Sequence, residues 1–106
     1  QRPLPADFAS SPTVVPTLAV AELASLVEQG RAPAEWTGKM LASCRLEECQ
    51  FTDALEGGTL HGRLRLAGNR KVSLTDCIMY CVALRLGLPF LTSEKDLAGQ
   101  PGVHLL

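Results

Sequence analysis

Glu22, Asp76, Glu94 and Asp96 are carboxylates set in or beside otherwise apolar stretches, and Thr92 adds a hydroxyl two residues before Glu94. Apolar helices and strands keep carboxylates away, because burying an unpaired charge is costly. Where acids do stand at the ends of such elements, a side-chain cation or a metal ion offsets them. Magnesium is hard, prefers oxygen ligands and keeps several waters. It lowers the pKa of a bound water and screens the charge on a phosphate. Hydrolysis of a phosphodiester by that route needs three or four carboxylates from different elements gathered at one spot, which is what these four residues offer.

Each of them also has a plainer reading. Asp76 stands three residues after Ser73, the position of a capping-box acid at a helix start. Glu22 has no cation on its own helix and could instead pair with an arginine from elsewhere. Glu94 and Asp96 suit the first turn of a short helix, where acids favour the dipole. Thr92 could simply end a strand.

The elements that would position these groups follow from apolar patterning and breakers. Residues 1–12, QRPLPADFASSP, carry three prolines and read as an arm or linker. Thr13-Val-Val-Pro16 reads as a short buried strand. A helix follows from Thr17 to Gln29 and stops at Gly30. Ala34 to Ala42 reads as a second helix, carrying Trp36 and Met40. Leu46 to Phe51 is a weaker strand, interrupted by two glutamates. Thr52 to Ala67 reads as a helix capped by Thr52 or a preceding residue. Gly57 and Gly58 weaken it by about 1 kcal/mol each relative to alanine. Ser73 caps a long apolar helix that ends near Gly87. Leu88 to Thr92 is a strand, Ser93 to Ala98 a helical turn, and Val103 to Leu106 a terminal strand. Short strands alternating with helices argue for an α/β sandwich with a mostly parallel sheet.

The run Ser73-Leu-Thr-Asp76, the apolar helix to Gly87, then Pro89-Phe-Leu-Thr92-x-Glu94-Lys-Asp96-Leu97 and Pro101-Gly-Val resembles the C-terminal half of a PIN domain. This is the metal-dependent ribonuclease fold of VapC-type toxins. The resemblance covers about residues 12–106. It implies a three-layer α/β/α sandwich. It also implies an Mg²⁺- or Mn²⁺-dependent endoribonuclease acting as the toxin of a toxin–antitoxin pair. Glu22, Asp76 and Glu94 or Asp96 would hold the metal, and Thr92 would orient groups at the site. The partners it implies are an RNA substrate, a small antitoxin and a second copy of the chain.

The family's first strand ends in an aspartate that is normally the central metal ligand. No counterpart is found here. Asp7 follows prolines, and no apolar strand precedes it. Residues 13–106 therefore read as a PIN-like domain lacking its first strand. In the family's strand order, 3-2-1-4-5, that strand is the middle one. Without it, the strands at Thr13 and Leu88 would face each other with unsatisfied backbone groups. The alternative function is a non-catalytic or degenerate PIN-like module that binds RNA or protein.

Bulk properties set limits on these readings. One domain is the default for 106 residues. A net charge of −1 gives no global basic field, so any nucleic-acid contact must be local. The segment from His61 to Lys71 holds Arg63, Arg65, Arg70 and Lys71 and no acid. It reads as a phosphate-binding stretch or, more plainly, a solvated helix face. Cys44, Cys49, Cys77 and Cys81 lack zinc spacing and read as free thiols packed like small hydrophobes. That implies a reducing compartment, hence a cytoplasmic location. No apolar run is long enough to cross a membrane. Trp36 and Tyr80 read as packing residues. No Gly-rich phosphate loop or nucleophile elbow is present.

Overall fold

The computed structural model describes residues 13–106, apart from the side chains of Met40 and Leu41. The arm expected over residues 1–12, including Asp7, lies outside the described residues. The rest is mixed α/β with short parallel strands. Val14–Pro16 form β1, and Pro16 hands the chain to helix α1, Thr17–Glu28, with φ −64°, an angle its ring prefers. Gly30, at φ 73°, ends that helix, and Arg31 N–H closes the turn on the Leu26 carbonyl at 2.8 Å. Helix α2 is Glu35–Ser43, and Arg45–Glu47 form β2.

The strand expected from Leu46 to Phe51 is shorter and earlier. Phe51 instead opens helix α3, Phe51–Leu66. The cap is the preceding residue Gln50 rather than Thr52, in a capping box with Asp53. The Asp53 carboxylate accepts from Gln50 N–H at 2.9 Å, which satisfies a donor at the helix start and turns the chain out of extended geometry. Helix α4, Leu74–Leu86, is capped by the Ser73 hydroxyl, which accepts from Asp76 N–H at 3.2 Å. Gly87 closes it at φ 69°, a conformation L-residues avoid. Then come β3, Phe90–Thr92, a 3₁₀ turn at Lys95–Leu97, and β4, Val103–Leu105.

The described strands make two separate sheets. β1 pairs in parallel with β2, Val15 opposite Leu46. β3 pairs in parallel with β4, Leu91 opposite His104. Neither β1 nor β3 has a second strand neighbour among the described residues, so each keeps an open edge. Helix α1 packs on β1, α4 packs on β3, and α1 and α4 touch each other.

The core sits around α4. Val72, Cys77, Tyr80, Cys81, Leu97 and Val103 form one buried cluster, with Leu60, Leu64 and Phe90 packed against it. Tyr80 meets Phe90 edge to face at 5.8 Å and donates its hydroxyl proton to the Pro101 carbonyl at 2.6 Å. Its packing role is as expected. Trp36 departs from that expectation. It remains 50% exposed on short α2, whose main described partner is α1.

Helices α3 and α4 cross at Gly57. A Cβ built there would lie 2.6 Å from the Ile78 Cα, so the glycine permits the backbones to meet. Gly57→Ala should lower stability by about 1–3 kcal/mol, as overpacking against backbone does. Gly58→Ala has open space and should be neutral or stabilising for the isolated fold. Urea titrations of the two variants check the contrast; equal midpoints would contradict the close approach.

Candidate functional site

Asp76 sits at the start of α4, in the first turn that Ser73 caps. Its backbone N–H is used by the Ser73 hydroxyl. Among the described residues its carboxylate takes no hydrogen bond and no ion pair, so the capping box is only half built. The free carboxyl borders an open cleft of about 380 Å³ lined by Lys71, Asp76, Ser93, Glu94, Lys95 and Asp96.

The other half of the cleft comes from the turn after β3. Thr92 is 8% exposed, and its hydroxyl accepts from Glu94 N–H at 2.9 Å. Glu94 Oε1 in turn accepts from Asp96 N–H at 3.1 Å and caps the 3₁₀ turn. Thr92 thus does more than end a strand, because it sets the position of Glu94. Glu94 keeps a second carboxylate oxygen beyond its capping bond. Asp96 also lines the cleft.

Glu22 is exposed, in the middle of α1, and no arginine pairs with it among the described residues. Its carboxyl is pushed above the usual range, first by lost hydration and then by the negative charge of Asp76. Asp76 is pushed up as well, first by burial and then by Glu94. Asp76 is therefore the acid that links the three in charge, raising Glu22 and being raised by Glu94. Three segments far apart in the chain bring their carboxylates near one another, through contact of α1 with α4 and of α4 with β3. They do not close into a ready ligand cage. Among the described residues, no three of His, Cys, Asp and Glu stand close enough to hold a metal ion.

The repulsion has a measurable sign. Native pKa values of Asp76 and Glu22 lie above their unfolded values, so folding favours their protonated forms. Their contribution to stability is most favourable below the ordinary carboxylate range and worsens as pH rises through the raised native values. Asp76→Asn should therefore gain stability relative to the parent at neutral pH with chelator present. That gain should vanish near pH 3, as thermal melts at both pH values would read. A constant difference across pH would deny the charge coupling.

The thiol readings divide. Cys77 and Cys81 are buried and Cys44 and Cys49 half-buried, all four free. Burial pushes the Cys77 thiol up to about 11, with Asp76, Cys81 and Glu94 adding to the effect. Cys81 moves up for the same first reason. Neither is a nucleophile at neutral pH.

A second charged cluster lies apart from the acids that residue type and spacing single out. Asp53 is 2% exposed and lies against Arg85, whose Nε donates to both carboxylate oxygens at 3.1 and 3.0 Å, with Nη2 3.0 Å from Oδ2. Arg85 Nη2 also donates to the Glu48 carbonyl at 3.2 Å. Burial alone would raise the Asp53 pKa, but the Arg85 and Gln50 hydrogen bonds and the Arg85 charge outweigh it and hold it below the ordinary value. This cluster ties the start of α3 to the end of α4 and lies outside the set of residues lining the cleft. An arginine in the last turn of an apolar helix was the available signal. Lys71, at the end of the basic segment, lines the cleft, whereas Arg63, Arg65 and Arg70 are simply exposed. No family model matches the chain, and no curated protein matches it. No helix among the described residues is long and apolar enough to cross a membrane.

Proposed function

We propose that the chain is the larger part of a PIN-like, Mg²⁺- or Mn²⁺-dependent endoribonuclease of the VapC toxin kind, in which Asp76 is the central carboxylate of those described. The observation that carries this reading is the Asp76 carboxylate, which has no hydrogen bond or ion pair among the described residues and is coupled in charge to Glu22 and Glu94. Asp76 raises the pKa of Glu22 and Glu94 raises that of Asp76, and a site with such uncompensated oxygen donors suits a hard divalent cation. Bound there, the ion would activate water and screen a phosphodiester. Asp76, Glu22 and Glu94 would hold it, with Asp96 alongside. Thr92 keeps Glu94 in place. Lys71 and Lys95, on the cleft wall, suit the phosphates on either side of the cut.

The reading asks for one more carboxylate and one more strand. β1 and β3 each keep an open edge, which is what the order 3-2-1-4-5 leaves when its middle strand is absent. A strand from outside the described residues, ending in an acid near Asp76, would close the α/β/α sandwich and the metal site together. A cognate antitoxin would act by covering the cleft.

The test is cleavage of a mixed RNA pool with Mn²⁺ and with chelator. Metal-dependent endonucleolytic products support the reading. RNA or protein binding without cleavage, in a chain completed by such a strand, points to the non-catalytic module instead.

A further inference from the structure

The basic segment that joins α3 to α4 carries more charge than the fold uses. Arg63, Arg65, Arg70 and Lys71 are four of the chain's ten lysines and arginines, and the sequence has no acid between Glu56 and Asp76. All four are exposed, and none is in an ion pair among the described residues. Arg63 and Arg65 stand in the last turn of α3, where cations favour the helix dipole. Arg70 and Lys71 have no such reason. They precede the Ser73 cap of α4, at the positive end of that helix, where the dipole opposes cations. Like charges gathered in this way suit an anion that carries several charges of its own.

The backbone fixes where the cations stand. Asn69 donates from its N–H and from Nδ2 to the Leu64 carbonyl, at 2.9 and 3.1 Å. Arg70 N–H donates to the Gly68 carbonyl at 3.0 Å, and Val72 is buried in the core just beyond. Leu66 is 92% exposed and, at ~100° per residue, falls between Arg63 and Arg65 around α3. Lys71 brings the row to the edge of the cleft.

We infer that this surface binds single-stranded nucleic acid, with Arg63, Arg65, Arg70 and Lys71 on backbone phosphates and Leu66 against the face of a base. Phosphates supply the repeated charge. The apolar side chain selects the form of the strand, because a single strand can turn base faces outward and a duplex keeps them stacked inside. Phosphate contacts of this kind carry no sequence information. They need no metal and none of the acids, so the inference does not rest on the nuclease reading.

Fluorescence anisotropy of a short polyuridine strand with the full chain, in chelator, tests it across a salt series. Binding is expected, with log affinity falling against log salt at a slope of about −3 for four neutralised phosphates. Arg65→Gln with Arg70→Gln should weaken binding by about tenfold and halve that slope. Leu66→Ala should weaken binding and leave the slope unchanged, with circular dichroism showing each variant folded. A deoxyuridine strand should bind comparably, since none of these contacts needs the 2′-hydroxyl. No binding at low salt overturns the proposal, as does a slope that the paired substitution leaves unchanged. A duplex bound as tightly as the single strand overturns it too, as does polyglutamate that competes as well as the strand.

Discussion

Asp76→Asn should lower metal-dependent RNA cleavage by at least about 100-fold in any form of the protein that cleaves RNA. Groups that merely support metal ligands are worth about 10–100-fold, and a ligand itself is worth no less. The substitution is nearly isosteric and keeps the backbone N–H that the Ser73 hydroxyl accepts, so the cap of α4 survives. A loss of activity would therefore report on the carboxylate rather than on folding. A second readout does not depend on turnover. Mn²⁺ should raise the melting temperature of the parent, since a ligand that binds only the native state stabilises it. It should not raise that of the variant. Because Asp76 and Glu22 hold protons more tightly than ordinary carboxylates, Mn²⁺ must displace those protons, and its effect should fade on acidification sooner than for isolated acids. If cleavage and Mn²⁺ stabilisation both persist in Asp76→Asn, Asp76 does not hold the metal and the nuclease reading loses its centre.

Arg85→Met should destabilise the fold more than any surface change, and more than Asp53→Asn. The reason is what each leaves behind. Without Arg85, the Asp53 carboxylate keeps one backbone N–H and loses its counter-charge while 2% exposed. Without the Asp53 charge, Arg85 still reaches the Glu48 carbonyl and Glu47. Asp53→Asn should cost about 1.5–3 kcal/mol, the range for hydrogen bonds to charged groups. Replacing both, as Asp53→Leu with Arg85→Met, should recover much of the loss, because a buried pair is often no better than apolar residues of similar size. Urea unfolding of the two single variants and the double gives the cycle. Strict additivity would mean the two residues act separately. The pair also sets acid behaviour. The Asp53 pKa is depressed, so its contribution is complete above the ordinary value of 3.8 and is lost as pH falls through the native one.

Much of the fold was legible because the signals were local. Thr13-Val-Val-Pro16, the Ser73 cap and Gly87 each state their conformation through nearest neighbours, and α4 runs where its cap and its glycine place it. The strand–helix boundary differs from the expected one, with β2 ending at Glu47 and α3 opening at Phe51, because Asp53 decides it. That residue fixes the turn only when its carboxylate reaches back to Gln50 and across to Arg85, thirty-two residues away. Gly57 looked like a weakness of α3 and is instead a contact with Ile78, which no property of α3 alone reveals.

The acids divide along the same line. Residue type and position relative to the caps already singled out Glu22, Asp76, Glu94 and Asp96, since charge is avoided in apolar elements unless something offsets it. Only the packing of α1 on α4 and of α4 on β3 brought Glu22 and Glu94 within range of the Asp76 charge. Only the bond from Glu94 N–H to the Thr92 hydroxyl gave that threonine a task. Proximity across the chain depends on how helices dock, and docking is settled by the summed fit of many side chains, which no single stretch of residues contains.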